Sequence, residues 1–237
     1  MPSPLHDPLL SVVVPVYNEA ATAEILIRRA LAQPWRMEIV AVDDGSTDGT
    51  REILARLADE LPQLRVILHE QNQGKGAAMH TGFREAQGDV LIVQDADLEY
   101  DPKDYGALLE PILDGRADVC YGSRFLGGPH RVLNYHHFVA NKLITGLSNV
   151  MTNLNLTDME TCYKVFRREV LAHLDLRETR FGFDPEFTSQ VAAAGLRVYE
   201  VPISYSGRDY AEGKKITWKD GVRALRVIVT ARFRAPG

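Results

Sequence analysis

Val90-Leu91-Ile92-Val93-Gln94-Asp95-Ala96-Asp97 is the stretch on which the fold turns. An apolar run closed by a polar residue and then by carboxylates reads as a buried strand leaving the core of an α/β sheet. Asp95 and Asp97 lie two residues apart, so at such an exit they point the same way. Buried together they would repel, and one would take up a proton. A hard divalent cation such as Mg²⁺ or Mn²⁺ removes that conflict, prefers oxygen ligands and keeps open positions that phosphate oxygens fill. The triplet points to metal-bridged diphosphate chemistry. Asp-x-Asp also occurs in ordinary surface turns, so the reading needs neighbours that agree with it.

Upstream, the same grammar repeats. Leu9 to Val16 is an apolar run, followed by Tyr17-Asn18-Glu19 and by helical spacing from Ala20 to Ala32. Glu38 to Val42 is a second strand, ending in Asp43-Asp44-Gly45-Ser46-Thr47-Asp48-Gly49; Asp48 caps a helix that stops at Pro62. Leu64 to Leu68 is a third strand, and Asn72-Gln73-Gly74-Lys75-Gly76 opens a helix ending near Gly88. Strand, polar loop and helix in alternation predict a parallel sheet with helices on both faces. In such sheets the ligand lies beyond the carboxyl ends of the strands. All four polar motifs fall there, so they are expected to build one site.

Downstream of Asp101 the alternation loosens. The pattern predicts a helix over Lys103–Leu113, a strand over Asp118–Tyr121 and a break at Gly127-Gly128-Pro129. Asn134–Met151 reads as an amphipathic helix with Val139, Leu143, Leu147 and Val150 on one stripe. A strand over Thr161–Arg167, a helix over Pro185–Ala194, a strand over Arg197–Tyr205 and a helix over Trp218–Phe233 follow. The expected organisation is a flexible lead-in over 1–8, one domain over 9–215 and a basic amphipathic helix over 216–237.

Bulk properties narrow the function class. The chain has 237 residues, 25% of them charged, and a net charge of −5, which argues against a general nucleic-acid binder. Residues 207–237 carry +5 and the remainder −10, so a basic tail on an acidic body suggests an anionic target such as phosphate or a lipid surface. Cys120 and Cys162 are too few for a disulfide framework or a zinc site and are expected to pack in the core. No apolar stretch approaches the ~20 residues that span a bilayer, and Met1 to Pro8 lacks the basic start of a signal peptide. His130, His136 and His137 fit no common metal spacing.

Together, Val14-Pro15-Val16-Tyr17-Asn18-Glu19, Asp43-Asp44-Gly45-Ser46-Thr47-Asp48-Gly49-Thr50, Asn72-Gln73-Gly74-Lys75-Gly76 and Asp95-Ala96-Asp97-Leu98-Glu99 resemble the inverting glycosyltransferases of family 2. Within that family the chain is similar to dolichyl- and polyprenyl-phosphate sugar transferases. Gly122-Ser123-Arg124-Phe125, Asp158 to Lys164, and Glu200-Val201-Pro202-Ile203 leading to Arg208 extend the likeness to about Lys215. The resemblance implies a GT-A type fold: a single Rossmann-like α/β domain with a mostly parallel central sheet.

The resemblance also implies roles. Pro15, Tyr17 and Glu19 would line the nucleotide pocket, with Asp44 or Asp43 accepting a base N–H and Lys75 beside the diphosphate. Asp97, Asp95 and Glu99 would hold Mg²⁺ or Mn²⁺, Asp97 most directly, with Asp95 also facing the ribose or sugar side. Many relatives carry Gln where this chain has Glu99. Arg208 would stabilise the departing diphosphate, assisted by Lys214 in a 207–215 lid. Arg124 would hold an acceptor phosphate. Asp158 is the catalytic candidate of the later motif; with Glu160 and Asp184 it is a possible base if the acceptor is an alcohol. Asp158 to Lys164 departs from the Asp-x-x-Ser-Gly-Phe-Arg form common among mannosyl transferases, which leaves the sugar open.

The expected activity is metal-dependent, inverting transfer of a hexose from a UDP- or GDP-sugar to a polyprenyl- or dolichyl-phosphate or related lipid. The implied setting is the inner face of the cytoplasmic membrane, held peripherally by the 134–151 and 218–233 helices, with a membrane partner subunit or a second copy as protein partner. Rival readings are a saccharide or other hydroxyl acceptor, a non-catalytic nucleotide-sugar-binding scaffold, and a nucleotidyltransferase. Val14 to Glu19 lacks the glycine-rich, basic signature of the last.

Overall fold

The computed structural model describes residues 3–132, 135–208 and 218–231, the side chains of 218–220 excepted. Seven strands form one sheet: β1 Leu10–Val16, β2 Met37–Asp43, β3 Leu64–Leu68, β4 Val90–Val93, β5 Val119–Ser123, β6 Lys164–Arg167 and β7 Val198–Pro202. Their order is β3-β2-β1-β4-β6-β5-β7. The helices are α1 Ala23–Leu31, α2 Thr50–Glu60, α3 Lys75–Glu85, α4 Tyr105–Leu113, α5 Tyr135–Thr152, α6 Phe183–Ala193 and α7 Trp218–Ala231. The sheet is mostly parallel; β6 alone runs antiparallel to both its neighbours, β4 and β5.

The apolar runs become the centre of the sheet. Val12, Val13, Ile39, Val90, Leu91 and Ile92 are wholly buried, as strands covered on both faces require. Val13 pairs with Val40 on one side and with Val93 on the other. Val16 pairs with Asp43, so Tyr17 and Asp44 leave the sheet side by side. Gln94, buried at the end of β4, accepts from the Tyr105 hydroxyl (2.8 Å) and the Tyr163 hydroxyl (2.7 Å). Its amide donates to the Asp95 carbonyl (3.0 Å), so a satisfied core polar group fixes the start of the carboxylate turn.

Three expectations differ from what is observed. Thr161–Tyr163 lie outside β6, because Lys164 sends its buried ammonium back to the Met159 and Thr161 carbonyls and holds that segment as a turn. The 3–8 segment is tied down: Leu5 N donates to Leu113 O (2.8 Å), and Ser3 O accepts from Arg167. The expected stripe of α5 is split: Leu143 and Val150 face outward, 70% and 79% exposed, while Leu147 packs on the core. The inward face of α5 mixes Ile144, Leu147 and Met151, packed on the core, with polar clamps: Thr145 Oγ1 accepts from Met159 N, and Asn149 exchanges two bonds with the Leu156 backbone. In α7, Arg223 bonds Glu178 at 3.3 Å, while the side chain of Lys219 lies outside the described residues.

Candidate functional site

The loops after β1, β2, β4 and β5, with the segment before α6, enclose a cleft of about 380 Å³. Pro15, Tyr17 and Glu19 line it from the β1 side. Asp44 also lines it, almost wholly buried. The Asp44 carboxylate accepts from Gln73 N (2.9 Å) and Gly74 N (2.7 Å) and meets His69 Nδ1 at 2.8 Å, so it welds the glycine loop to the end of β2. Asp43 lies beneath the cleft and does not line it. Its Oδ2 accepts from Arg51 Nε (2.7 Å) and from Gly45 N and Ser46 N, which shapes the loop. The structure thus separates two residues that the sequence left as alternatives.

The glycine loop is required by close packing. The 178–180 backbone crosses directly over Gly74 and Gly76, where a Cβ at either position would strike Thr179 O or Glu178 O. Ala77 N donates to Thr179 O at 3.0 Å. Arg180 and Phe181, which nothing in the strand-exit pattern marked, are thereby carried into the cleft wall.

Lys75, the first residue of α3, places Nζ 2.6 Å from Asp95 Oδ1. Asp97 follows in a turn whose Leu98 has φ 64°, a left-handed conformation that costs a leucine energy and marks a constrained site. Arg208 spans this turn. Its Nη2 bonds Asp97 Oδ2 (3.0 Å) and Glu19 Oε1 (3.1 Å), while its backbone N donates to Glu99 Oε1 (2.6 Å). Burial, then the Asp95 and Glu99 carboxylates, push Asp97 up to about 7 despite Arg208. The other oxygen of Glu99 accepts from the Tyr205 hydroxyl (2.8 Å). Among the described residues no group of three or more His, Cys, Asp or Glu side chains is preassembled for a metal, and Asp95, Asp97 and Glu99 all line the cleft. Lys214 and the 209–215 part of the expected lid lie outside the described residues.

Arg124 follows β5 and grips Asp158 through Nε (2.6 Å) and Nη2 (2.7 Å), while its backbone N donates to the same carboxylate (3.1 Å). Asn141 adds a fourth contact at 3.4 Å. Asp158 is fully buried and outside the cleft lining, so its carboxylate positions Arg124 and is not placed to take a proton from an acceptor. Glu200 in turn accepts from Thr157 N and Asp158 N, which explains the Glu200-Val201-Pro202 motif as a brace for this turn. Glu160 and Asp184 do line the cleft, and Asp184 is paired with Lys164. Burial, then the Asp184 carboxylate, push Glu160 up to about 8 against the pull of Lys164 and Arg124. Cys120 and Cys162 are both free and buried, Cys162 in the cleft wall.

Residues 11–175 match the family model described as "Glycosyl transferase family 2". The chain is 31% identical over 212 residues to the undecaprenyl-phosphate mannosyltransferase of Micrococcus luteus, covering 85% of each. It is 31% identical to the polyprenol monophosphomannose synthase of Mycolicibacterium smegmatis, covering 86% of this chain and 79% of that one. It is also 31% identical to the glycosyltransferase AglD of Haloferax volcanii, of which it spans 33%. Among solved structures, glucosyl-3-phosphoglycerate synthase of Mycobacterium tuberculosis, crystallised with Mn²⁺ and uridine diphosphate, superposes with a TM-score of 0.73 at 20% identity. That likeness covers 97% of this chain and 81% of that one, and shows the GT-A fold.

Proposed function

The chain belongs to glycosyl transferase family 2, and from that premise we propose that it moves a hexose from a UDP- or GDP-sugar to a polyprenyl phosphate or related lipid phosphate. The observation that carries the reading is the placement of three cations around one cleft. Lys75 and Arg208 flank the Asp95–Asp97 turn, and Arg124 lines the same cleft over the Tyr205 ring. A donor diphosphate between Lys75 and Arg208 and a phosphate acceptor at Arg124 account for all three. The names of the Micrococcus and Mycolicibacterium relatives support the lipid-phosphate acceptor.

In this reading Pro15, Tyr17, Glu19 and Asp44 hold the nucleoside. An acceptor phosphate oxygen, anionic at neutral pH, attacks the anomeric carbon in line, and the bond to the donor diphosphate breaks. Charge grows on that diphosphate as it leaves, so Arg208 and Lys75 favour the transition state over the ground state. Arg208 must then exchange part of its contact with Glu19 and Asp97 for phosphate oxygens.

The donor set also fits a divalent ion. Asp97 is raised to about 7 even with Arg208 at 3.0 Å, so the turn is short of positive charge. Asp97 and Asp95 would hold Mg²⁺ or Mn²⁺ together with donor phosphate oxygens, and the ion would supply charge neutralisation for the leaving group.

The enzyme works from a membrane surface, on the cytoplasmic side that the nucleotide sugar reaches. Support comes from apolar side chains turned outward on α5 (Leu143, Val150) and α7 (Val222, Leu225, Val229), with Arg226 exposed beside the α7 stripe. No helix among the described residues is long and apolar enough to cross a membrane. The test is transfer from radiolabelled UDP- and GDP-hexoses to polyprenyl phosphate in vesicles, with Mn²⁺ or Mg²⁺. A lipid-linked sugar product is expected. Metal-dependent donor binding without transfer to any lipid phosphate would overturn the acceptor assignment.

A further inference from the structure

We propose that Glu160 is a protonated hydrogen-bond donor to the acceptor, giving its carboxyl O–H to an oxygen of the acceptor phosphate held at Arg124. The inference rests on the lipid-phosphate reading above and names a specificity-determining residue that the reading did not require.

Three observations carry it. Glu160 lines the cleft together with Arg124 and Asp184, and both act on its charge. Its Oε1 is shielded from solvent and has no hydrogen-bond partner among the described residues. The charges around it are already balanced. Arg124 is paired with Asp158, and Lys164 with Asp184, leaving a Glu160 carboxylate as surplus negative charge.

That surplus matters for an anionic acceptor. A phosphate monoester carries about −1.5 to −2 at neutral pH. A Glu160 carboxylate beside it would repel it in a poorly solvated wall. With its proton kept, the side chain removes the repulsion and offers a donor that the Asp158-bound Arg124 has partly spent. The four groups that face Glu160 set its ionisation after burial itself: Asp184 and Asp158 favour the proton, whereas Lys164 and Arg124 oppose it. The net result is a carboxyl pushed up to about 8, so the donor form dominates at neutral pH and is lost as pH rises through that value. No proton is transferred in the step. The acceptor oxygen forms the new bond to the anomeric carbon, the donor diphosphate departs with its electron pair, and Glu160 retains its hydrogen.

A neutral acid cannot deprotonate an alcohol, so Glu160 selects for an acceptor that brings its own anionic oxygen. The experiment measures acceptor KM and kcat for the wild type, Glu160→Gln and Glu160→Ala on polyprenyl phosphate vesicles, at saturating donor and metal, from about pH 6.5 to pH 9. A donor-induced thermal shift serves as the fold control. Glu160→Gln keeps an N–H donor and is expected to stay within about threefold of wild type at neutral pH, whereas Glu160→Ala raises acceptor KM about 10- to 100-fold with kcat less affected. The wild-type acceptor KM should climb as pH passes about 8, and the climb should vanish in Glu160→Gln. A wild type minus Glu160→Gln infrared difference spectrum reads the proton directly, as a protonated-carboxyl stretch at neutral pH that fades by about pH 9.

Glu160→Gln that folds and binds donor yet fails to turn over would make Glu160 a base and overturn the proposal. Absence of the protonated-carboxyl band would also overturn it. Wild-type transfer to an alcohol and to no lipid phosphate would sink the functional reading as well, an outcome distinct from either.

Discussion

The two halves of this molecule build their share of the cleft by different rules. From Leu10 to Val93, each parallel strand ends in a short polar loop, and the side chains that matter are next to the strand that aims them: Tyr17 after β1, Asp44 after β2, Asp95 after β4. From Val119 onward, β6 reverses direction and the functional wall is assembled by pairing across the chain. Arg124 is set by Asp158, Asp158 by Glu200, and Lys164 by Asp184. The first half aims its groups from strand ends and adds local pairs such as Lys75–Asp95, whereas the second depends on charge pairs that reach across the chain. Loss of a strand-end carboxylate in the first half should therefore cost chemistry, and loss of a pair in the second should cost both fold and acceptor.

The largest effect should come from the first half. Asp97→Asn keeps the shape of the turn and removes one carboxylate; kcat is expected to fall about 10²- to 10³-fold, as for loss of a central electrostatic group. The fold should not suffer. Asp97 is raised to about 7, so its neutral form is the one the metal-free fold prefers. Its contribution to stability is fully present below the unfolded carboxyl range and is lost as pH rises through about 7. Metal-free wild type should therefore melt lower at about pH 8 than at about pH 6, and Asp97→Asn should reduce that drop. Cation affinity should rise over the same window, because binding displaces the proton. A metal-free melting temperature that increases with pH, or an Asp97→Asn variant with wild-type turnover, would break the assignment.

Asp158→Asn tests the other half. It leaves Arg124 buried without its counter-charge, a change worth about 3–5 kcal/mol when a buried pair is broken. Loss of stability in denaturant melts and a raised acceptor KM should appear together, with the donor-induced thermal shift retained in whatever fraction folds. An Asp158→Asn protein of wild-type stability that loses only kcat would return Asp158 to a chemical role and erase the contrast between the halves.

This contrast also explains what could be read in advance. Apolar runs closed by Asp95, Asp44 or Tyr17 were legible because burial and strand exit leave a local trace. The partners of Glu99 left no such trace, since spacing along 95–99 does not reveal that Tyr205 and Arg208 bond it. Asp158 looked chemical because its partner Arg124 lies 34 residues away and periodicity carries no pairing information. Arg180 and Phe181 gave no signal at all; they reach the cleft because Gly74 and Gly76 let a distant backbone cross. Gly76→Ala should accordingly cost about 1–3 kcal/mol of stability, as overpacking does. The same change should weaken donor binding by displacing the 178–180 segment. A fully stable Gly76→Ala protein would show that this crossing is dispensable.

The outward stripe of α5 sharpens the comparison at its weakest point. A helix that clamps the 156–159 turn with Thr145 and Asn149 has no inward use for Leu143 and Val150, and an apolar residue gains nothing from facing water. Seating both in the interfacial region of a bilayer would contribute about 1 kcal/mol each, less than full burial of a leucine or valine because the contact is partial. Leu143→Ser with Val150→Ser should therefore lower vesicle partitioning about 10- to 30-fold in a sedimentation assay. Donor-induced thermal shifts should be unchanged, since neither residue lines the cleft. Turnover on vesicles should fall with the partitioning and recover when lipid is raised to restore the bound fraction. Unaltered partitioning in the double variant would remove α5 from the membrane surface and leave its exposed stripe without a role in acceptor access.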